Sequence, residues 1–144
     1  MRSDRSFKAD GFAATQLKRQ FAEIHMPAHE KINYVEYPAR DMDATKRFFE
    51  AAFGWVFVDY GPDYAAFSGQ GLDGGFFRSG LAARTDVGSA LIVFYSERLE
   101  ETLAKVLAAG GKVVKPIFSF PGGRRFHFTE PSGNEFAAWS DSGA

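Results

Sequence analysis

The feature that most constrains this chain is a repeat inside it. Shifting the sequence by 57 positions lays Met42 on Leu99, Asp43 on Glu100, Thr45 on Thr102, Ala51 and Ala52 on Ala108 and Ala109, Gly54 on Gly111, and Val56 on Val113. Self-similarity at that spacing argues for one supersecondary unit used twice. A unit of this size cannot bury its own apolar face, so the two copies are expected to pair and enclose a pocket.

Each copy reads as a strand, a helix and three strands. In the first, residues 32–37 form a strand that Pro38 is expected to end. Asp41 caps a helix over 42–53 whose buried stripe is Met42, Ala44 or Thr45, Phe48, Phe49 and Ala52, and Gly54 stops it. Strands follow at 55–60, at 64–68 after the turn Gly61-Pro62-Asp63, and at 75–78 after the Gly-rich loop 69–74. A polar connector, 79–88, leads to the second copy, with a strand at 90–95, a helix at 99–109 stopped by Gly110-Gly111, and strands at 112–120, 125–129 and 135–140. The expected fold class is therefore α+β, with βαβββ modules at 31–78 and 89–141 building a cupped mixed sheet around a pocket, one domain over 31–141. Residues 1–30 lack a strand pattern. Phe12, Leu17, Phe21 and Ile24 recur near helical spacing, which allows a short amphipathic helix over 13–23 or a frayed extension. Met26 is a candidate natural start, a point that the mass of the natively expressed protein decides.

Charge and cysteine content exclude several functions. Lys plus Arg total 17 against 18 for Asp plus Glu, so no net field draws the chain to nucleic acid or an anionic membrane. With no cysteine there is no disulfide, thiolate metal site or cysteine nucleophile, which fits a cytoplasmic location. No apolar run reaches the roughly 20 residues of a membrane span, and the N-terminus lacks a signal-peptide core.

The stretch 124–139 alternates, turns on Pro131-Ser132-Gly133-Asn134 and alternates again, the pattern of a hairpin with one face toward a pocket. His127 sits mid-strand between Phe126 and Phe128, which must face the other way. The strand-Pro-x-x-Asp-Met-helix-Phe-Gly-Trp run from Tyr34 to Trp55 and the ending from Phe128 to Glu135 together resemble the vicinal oxygen chelate superfamily. That group holds glyoxalase I, extradiol dioxygenases, fosfomycin-resistance enzymes and metal-free bleomycin-binding proteins. The resemblance spans about residues 31–141 and implies the fold more than any substrate.

Enzymes of that family place a metal on inward side chains of the first and last strand of each module. Carried onto this chain, the four places read Tyr34, Phe76, Leu91 and Ala137, of which only the tyrosine offers a donor atom, whereas a catalytic metal normally takes about three protein ligands. The histidines are His25, His29 and His127, and only the last lies in a strand. No metal or other cofactor is expected at the standard site, and a divalent metal is left to a non-standard one. Alternation aims Tyr34, Glu36, Tyr95, Arg125 and His127 inward, with Thr129 near the rim and Trp139 on the face of Ala137. Two readings of Glu36 and His127 stand side by side. They form a catalytic general acid-base pair, or Glu36 pairs with Arg125 structurally and His127 only hydrogen-bonds. Tyr34, Tyr95, Arg125 and Trp139 are the candidate ligand-binding residues.

The functional expectation is a small-molecule-binding protein of this family that takes a partly apolar organic ligand between the modules without the four-ligand metal. The alternative is a lyase, isomerase or dioxygenase-type enzyme using Glu36 and His127, with or without a metal. The resemblance also implies a homodimer. The Gly-rich loop 69–75 does not join a strand to a helix, so it is read as a loop or pocket lid and not as a phosphate cradle. Arg124 and Arg125 are solvated, or greet an anionic substrate.

Overall fold

The computed structural model describes residues 27–142. Its elements are β1 (Tyr34–Ala39), α1 (Met42–Phe53), β2 (Phe57–Asp59), β3 (Tyr64–Phe67), β4 (Asp73–Arg78), a 3-10 turn (Thr85–Val87), β5 (Ile92–Tyr95), α2 (Leu99–Ala108), β6 (Lys112–Phe120), β7 (Gly123–Thr129) and β8 (Glu135–Ser140). They form two four-stranded mixed sheets, ordered β1-β4-β3-β2 and β5-β8-β7-β6, with β1–β4 and β5–β8 parallel and the other pairs antiparallel. This is the doubled βαβββ order that the repeat requires. The expected helix over 13–23 lies outside the described residues.

Local chemistry explains most boundaries. The Asp41 side chain accepts the Ala44 N–H at 3.1 Å, and Gly54 closes α1 in the left-handed region at φ 73. Its buried stripe is Met42, Thr45, Phe48, Phe49 and Ala52. Pro38 does not end β1, which runs on to Ala39. As an edge strand, β1 leaves part of its backbone without ladder partners, and a proline is tolerated there. β4 starts at Asp73, two residues before the expected 75, and so takes in Gly74 beside Gly75. A Cβ on Gly74 would strike the Val35 carbonyl and the Phe67 ring, and one on Gly75 would strike the Tyr64 ring. Both glycines are close-approach positions inside a strand.

One aromatic core serves both modules. Phe49 of α1 stacks on Trp55 with centroids 4.3 Å apart and meets Phe76 of β4 and Phe136 of β8. Phe53 stacks on Phe94 of β5 at 4.7 Å, and Tyr37 of β1 lies 4.8 Å from Phe136. The helix-facing sides of the two sheets thus share one core. Rings bury large areas of apolar surface, and tilted or offset pairs add to that.

A buried polar cluster also joins the modules. The Glu130 carboxylate accepts from the Thr45 hydroxyl of α1 at 2.7 Å, the Ser132 N–H at 2.7 Å and the Asn134 amide at 2.5 Å. Asn134 also donates to the Pro38 carbonyl at 2.6 Å, and the Ser132 hydroxyl oxygen accepts the Asp41 N–H. The turn after β7 therefore caps the start of α1 as well as reversing the hairpin. Burial pushes the Glu130 carboxyl above its ordinary range despite the bonds from Ser132, Thr45 and Asn134.

Candidate functional site

Register decides which side chains share a face. In the second sheet, His127 lies opposite Ala137 and Arg125 opposite Trp139, while β5 sets Val93 beside Ala137 and Tyr95 beside Trp139. Tyr95, Arg125, His127 and Trp139 therefore share the face turned away from the helices, and Phe126, Phe128 and Phe136 fill the core. In the first sheet, Glu36 pairs with Gly75, and Tyr34 with Asp73. Tyr34, Glu36 and Tyr64 occupy the equivalent face there.

Neither expected partner of Glu36 is its partner in the structure. Its carboxylate accepts the Tyr64 hydroxyl at 2.8 Å, and Tyr34 and Tyr64 hydroxyls are 2.7 Å apart. Burial, followed by the hydrogen bonds with Tyr34 and Glu36, pushes the Tyr64 phenol well up. The carboxylate of His127 is Glu135, at 2.7 Å from Nδ1. Arg125 lies with its guanidinium 5.6 Å from the Phe118 ring centroid, a cation–π arrangement. Arg124 is held by Glu100 at 2.6 Å and is not a free anion receptor. Tyr95 donates to Asp141 at 2.7 Å and packs edge-on against Trp139.

The His127–Glu135 pair is built from three elements. β7 supplies the imidazole and β8 the carboxylate, while the connector brings Thr85, whose N–H and hydroxyl reach the other Glu135 oxygen at 2.8 and 2.9 Å. Burial pushes the Glu135 carboxyl up, but the Thr85 and His127 bonds outweigh it and hold the group below its ordinary value. His127 is 2% exposed, and its Nε2 has no hydrogen-bond partner among the described residues. Glu135 fixes the ring so that Nε2 is the nitrogen left for any further task.

A cavity of about 350 Å³ opens at the seam where β1 and β5 approach, walled by Val35, Tyr37, Trp55, Phe67, Ile92 and Phe94. Gln70, Gly71 and Leu72 from the Gly-rich loop line it too, as does Tyr95. An apolar pocket of this volume with few polar groups is the usual form of a small-molecule site. Burial pushes the Tyr37 phenol up to about 12, against a lowering hydrogen bond from the Ile92 backbone. Tyr37 is therefore a neutral wall residue at any physiological pH.

Residues 31–138 match the family model described as the Glyoxalase/Bleomycin resistance protein/Dioxygenase superfamily. The chain belongs to this superfamily. Among solved structures, a glyoxalase-related enzyme from Fulvimarina pelagi aligns with TM-score 0.65 at 17% identity, over 77% of this chain and 88% of its own. A lactoylglutathione lyase from Agrobacterium tumefaciens gives 0.60 at 20% identity, over 79% and 96%. TioX from Micromonospora sp. ML1 gives 0.59 at 19% identity, over 77% and 98%. At these identities the structures share the fold. A sequence comparison with curated proteins gives no match.

The superfamily's metal places can now be read from register. Ala137 pairs with Val93, and the repeat carries Val93 back to Glu36, which pairs with Gly75. The place read from sequence as Phe76 is therefore Gly75. Phe76 points into the core, fully buried, because a shift of one residue reverses the face of a strand. The four places hold Tyr34, Gly75, Leu91 and Ala137, a set with a single side-chain donor, which does not fit the superfamily's metal. Among the described residues, no three His, Asp or Glu side chains converge elsewhere. Over Gly75 lies Tyr64, whose ring fills the space that a side chain there would need. Sequence reading missed Glu135 and Tyr64, although both share the parity of the residues that it had chosen.

Proposed function

We propose that this superfamily member binds a small, partly apolar organic molecule in the cavity at the seam of its modules, without the four-ligand metal. The observation that carries this is the cavity itself, walled by Val35, Trp55, Phe67 and Phe94 and lined in part by loop residues Gln70, Gly71 and Leu72. Burying a flat or aliphatic ligand there contributes roughly 25 cal/mol per Å² of apolar surface removed from water. The test is a fluorescence titration with 8-anilinonaphthalene-1-sulfonate. Saturable binding is expected in the native chain and lost in Leu72→Glu, with thermal unfolding unchanged because Leu72 lies in a loop. Binding that survives Leu72→Glu would put the ligand elsewhere.

The enzyme reading has one specific observation in its favour. His127 is oriented by Glu135 in the manner of a general base with its carboxylate, with Nε2 left over. Its burial weighs the other way, since a substrate atom must reach Nε2. In His127→Gln, loss of a turnover with ligand binding retained would favour chemistry; a change in stability alone would leave the pair structural. A homodimer, which rests on the family, and a cytoplasmic location, which the absence of cysteine fits, are further parts of the proposal, and sedimentation equilibrium tests the first. Among the described residues no helix is long and apolar enough to cross a membrane.

A further inference from the structure

The first module carries a second concavity, separate from the seam. It is a groove of about 480 Å³ on the face turned away from the helices, lined by Tyr34, Val58, Tyr60, Tyr64, Ser68 and Asp73. Glu36 stands at its side, bonded to Tyr64. The Tyr60 and Tyr64 rings lie 6.4 Å apart at 58° and form an aromatic corner.

Counting protons along the hydrogen-bond chain defines what the groove offers. Tyr64 has one hydroxyl proton and gives it to Glu36, so the short contact with Tyr34 requires Tyr34 to donate to the Tyr64 oxygen. Both phenolic protons are then consumed within the chain. What remains toward the groove is the Tyr34 oxygen and the Asp73 carboxylate, whose Oδ1 accepts the Gly69 N–H at 3.1 Å, with the Glu36 carboxylate behind Tyr64. All of these are acceptors, and two carry formal negative charge. Among the described residues, no lysine, arginine or histidine lines the groove. Phenol faces and carboxylates around an apolar floor of Val56, Val58 and Ala66 repel anions and attract a cation that has an apolar body.

We infer that this groove binds an organic ammonium ion, its N–H groups donating to the Tyr34 and Asp73 oxygens, its charge against the tyrosine faces and near the Glu36 carboxylate behind Tyr64, and its hydrocarbon part on the valines. Gly75 is the residue that makes this possible. Its missing side chain lets Tyr64 lie flat across β4 and reach Glu36 and Tyr34 together. The chain thus has an acceptor cluster gathered around a strand glycine.

The experiment is isothermal titration of the full chain with benzylammonium at neutral pH, using benzyl alcohol and benzoate as the neutral and anionic matches. Expected is one saturable site for benzylammonium that weakens as salt is raised. It should fall about tenfold or more in Tyr64→Phe and in Glu36→Gln, and stay unchanged in Leu72→Gln, which alters the seam without adding charge beside Asp73. Tyr64→Phe keeps the ring over Gly75, and an unchanged melting curve would show that the fold is intact. Equal binding of benzyl alcohol or benzoate, an affinity indifferent to both substitutions, or no saturable heat would each overturn the inference. So would a dimer that Tyr60→Ala dissociates in a chain that binds no benzylammonium, since the face would then belong to a second copy. Because Leu72→Gln perturbs the seam without changing the charge of the groove, failure here and failure of the proposed function are read separately.

Discussion

Replacing Glu130 by alanine should unfasten the two modules. The carboxylate accepts three buried donors, but they lose it unequally. The Thr45 hydroxyl can turn to the Ser132 oxygen, already 2.7 Å away, and the Asn134 amide keeps the Pro38 carbonyl. Ser132 N–H has no second acceptor among the described residues. One orphaned buried donor costs about 1–3 kcal/mol and two weakened bonds about 0.5–1.5 kcal/mol each, part of it offset by no longer burying a carboxyl group. The expected net loss is about 2–4 kcal/mol, which in urea lowers the midpoint by about 1–2 M at an unchanged slope. Glu130→Gln should cost less, about 1–2 kcal/mol, because its amide sets a donor against a donor. The pH dependence gives an independent check. Burial raises the folded-state value above the ordinary 4.5. The native state therefore holds this proton more tightly than the unfolded chain. Its contribution is full below pH 4.5 and is lost as pH rises through the folded value. The stability of the native chain relative to Glu130→Gln should accordingly fall as pH is raised from 4.5. A midpoint shift under about 0.3 M for the alanine variant, or the opposite slope, would refute the role assigned to this cluster.

Glu135→Gln should destabilise by about 1.5–3 kcal/mol, since it weakens a charged acceptor of both His127 and Thr85, and imidazole nitrogen shifts should show His127 changing its tautomer. Glu135 has the opposite sign to Glu130. Held below 4.5, it stabilises above that pH, and the benefit is lost as pH falls through the folded value, a loss that urea midpoints across acid pH would follow. Gly123→Ala puts a Cβ on the Ser140 carbonyl, a backbone atom that cannot swing aside, and should lower stability by about 1–3 kcal/mol in thermal melts. Gly75→Ala meets only the end of the Tyr64 side chain. It should leave the melting curve nearly unchanged while tyrosine absorbance shows Tyr64 released from Glu36.

The sequence by itself determined what depends on short-range periodicity. The repeat, the Asp41 cap, the Met42–Thr45–Phe48–Phe49–Ala52 stripe and the separation of His127 from Phe126 and Phe128 all follow from periods of 3.6 and 2 along one stretch of chain. Those periods leave the pairing between strands undetermined. An offset that was wrong by a single residue put Phe76 in a ligand place, where β1–β4 register puts Gly75. The same gap hid the partner of His127. Glu135 lies a diagonal step away across β7 and β8, and Thr85 arrives from the connector, which no local pattern ties to either strand. Only tertiary structure decided that Glu36 bonds to Tyr64, that Tyr64 crosses a glycine, and that the hairpin turn clasps α1. Each is a contact between residues far apart in sequence, set by how the sheets stack and by which buried donors must find an acceptor.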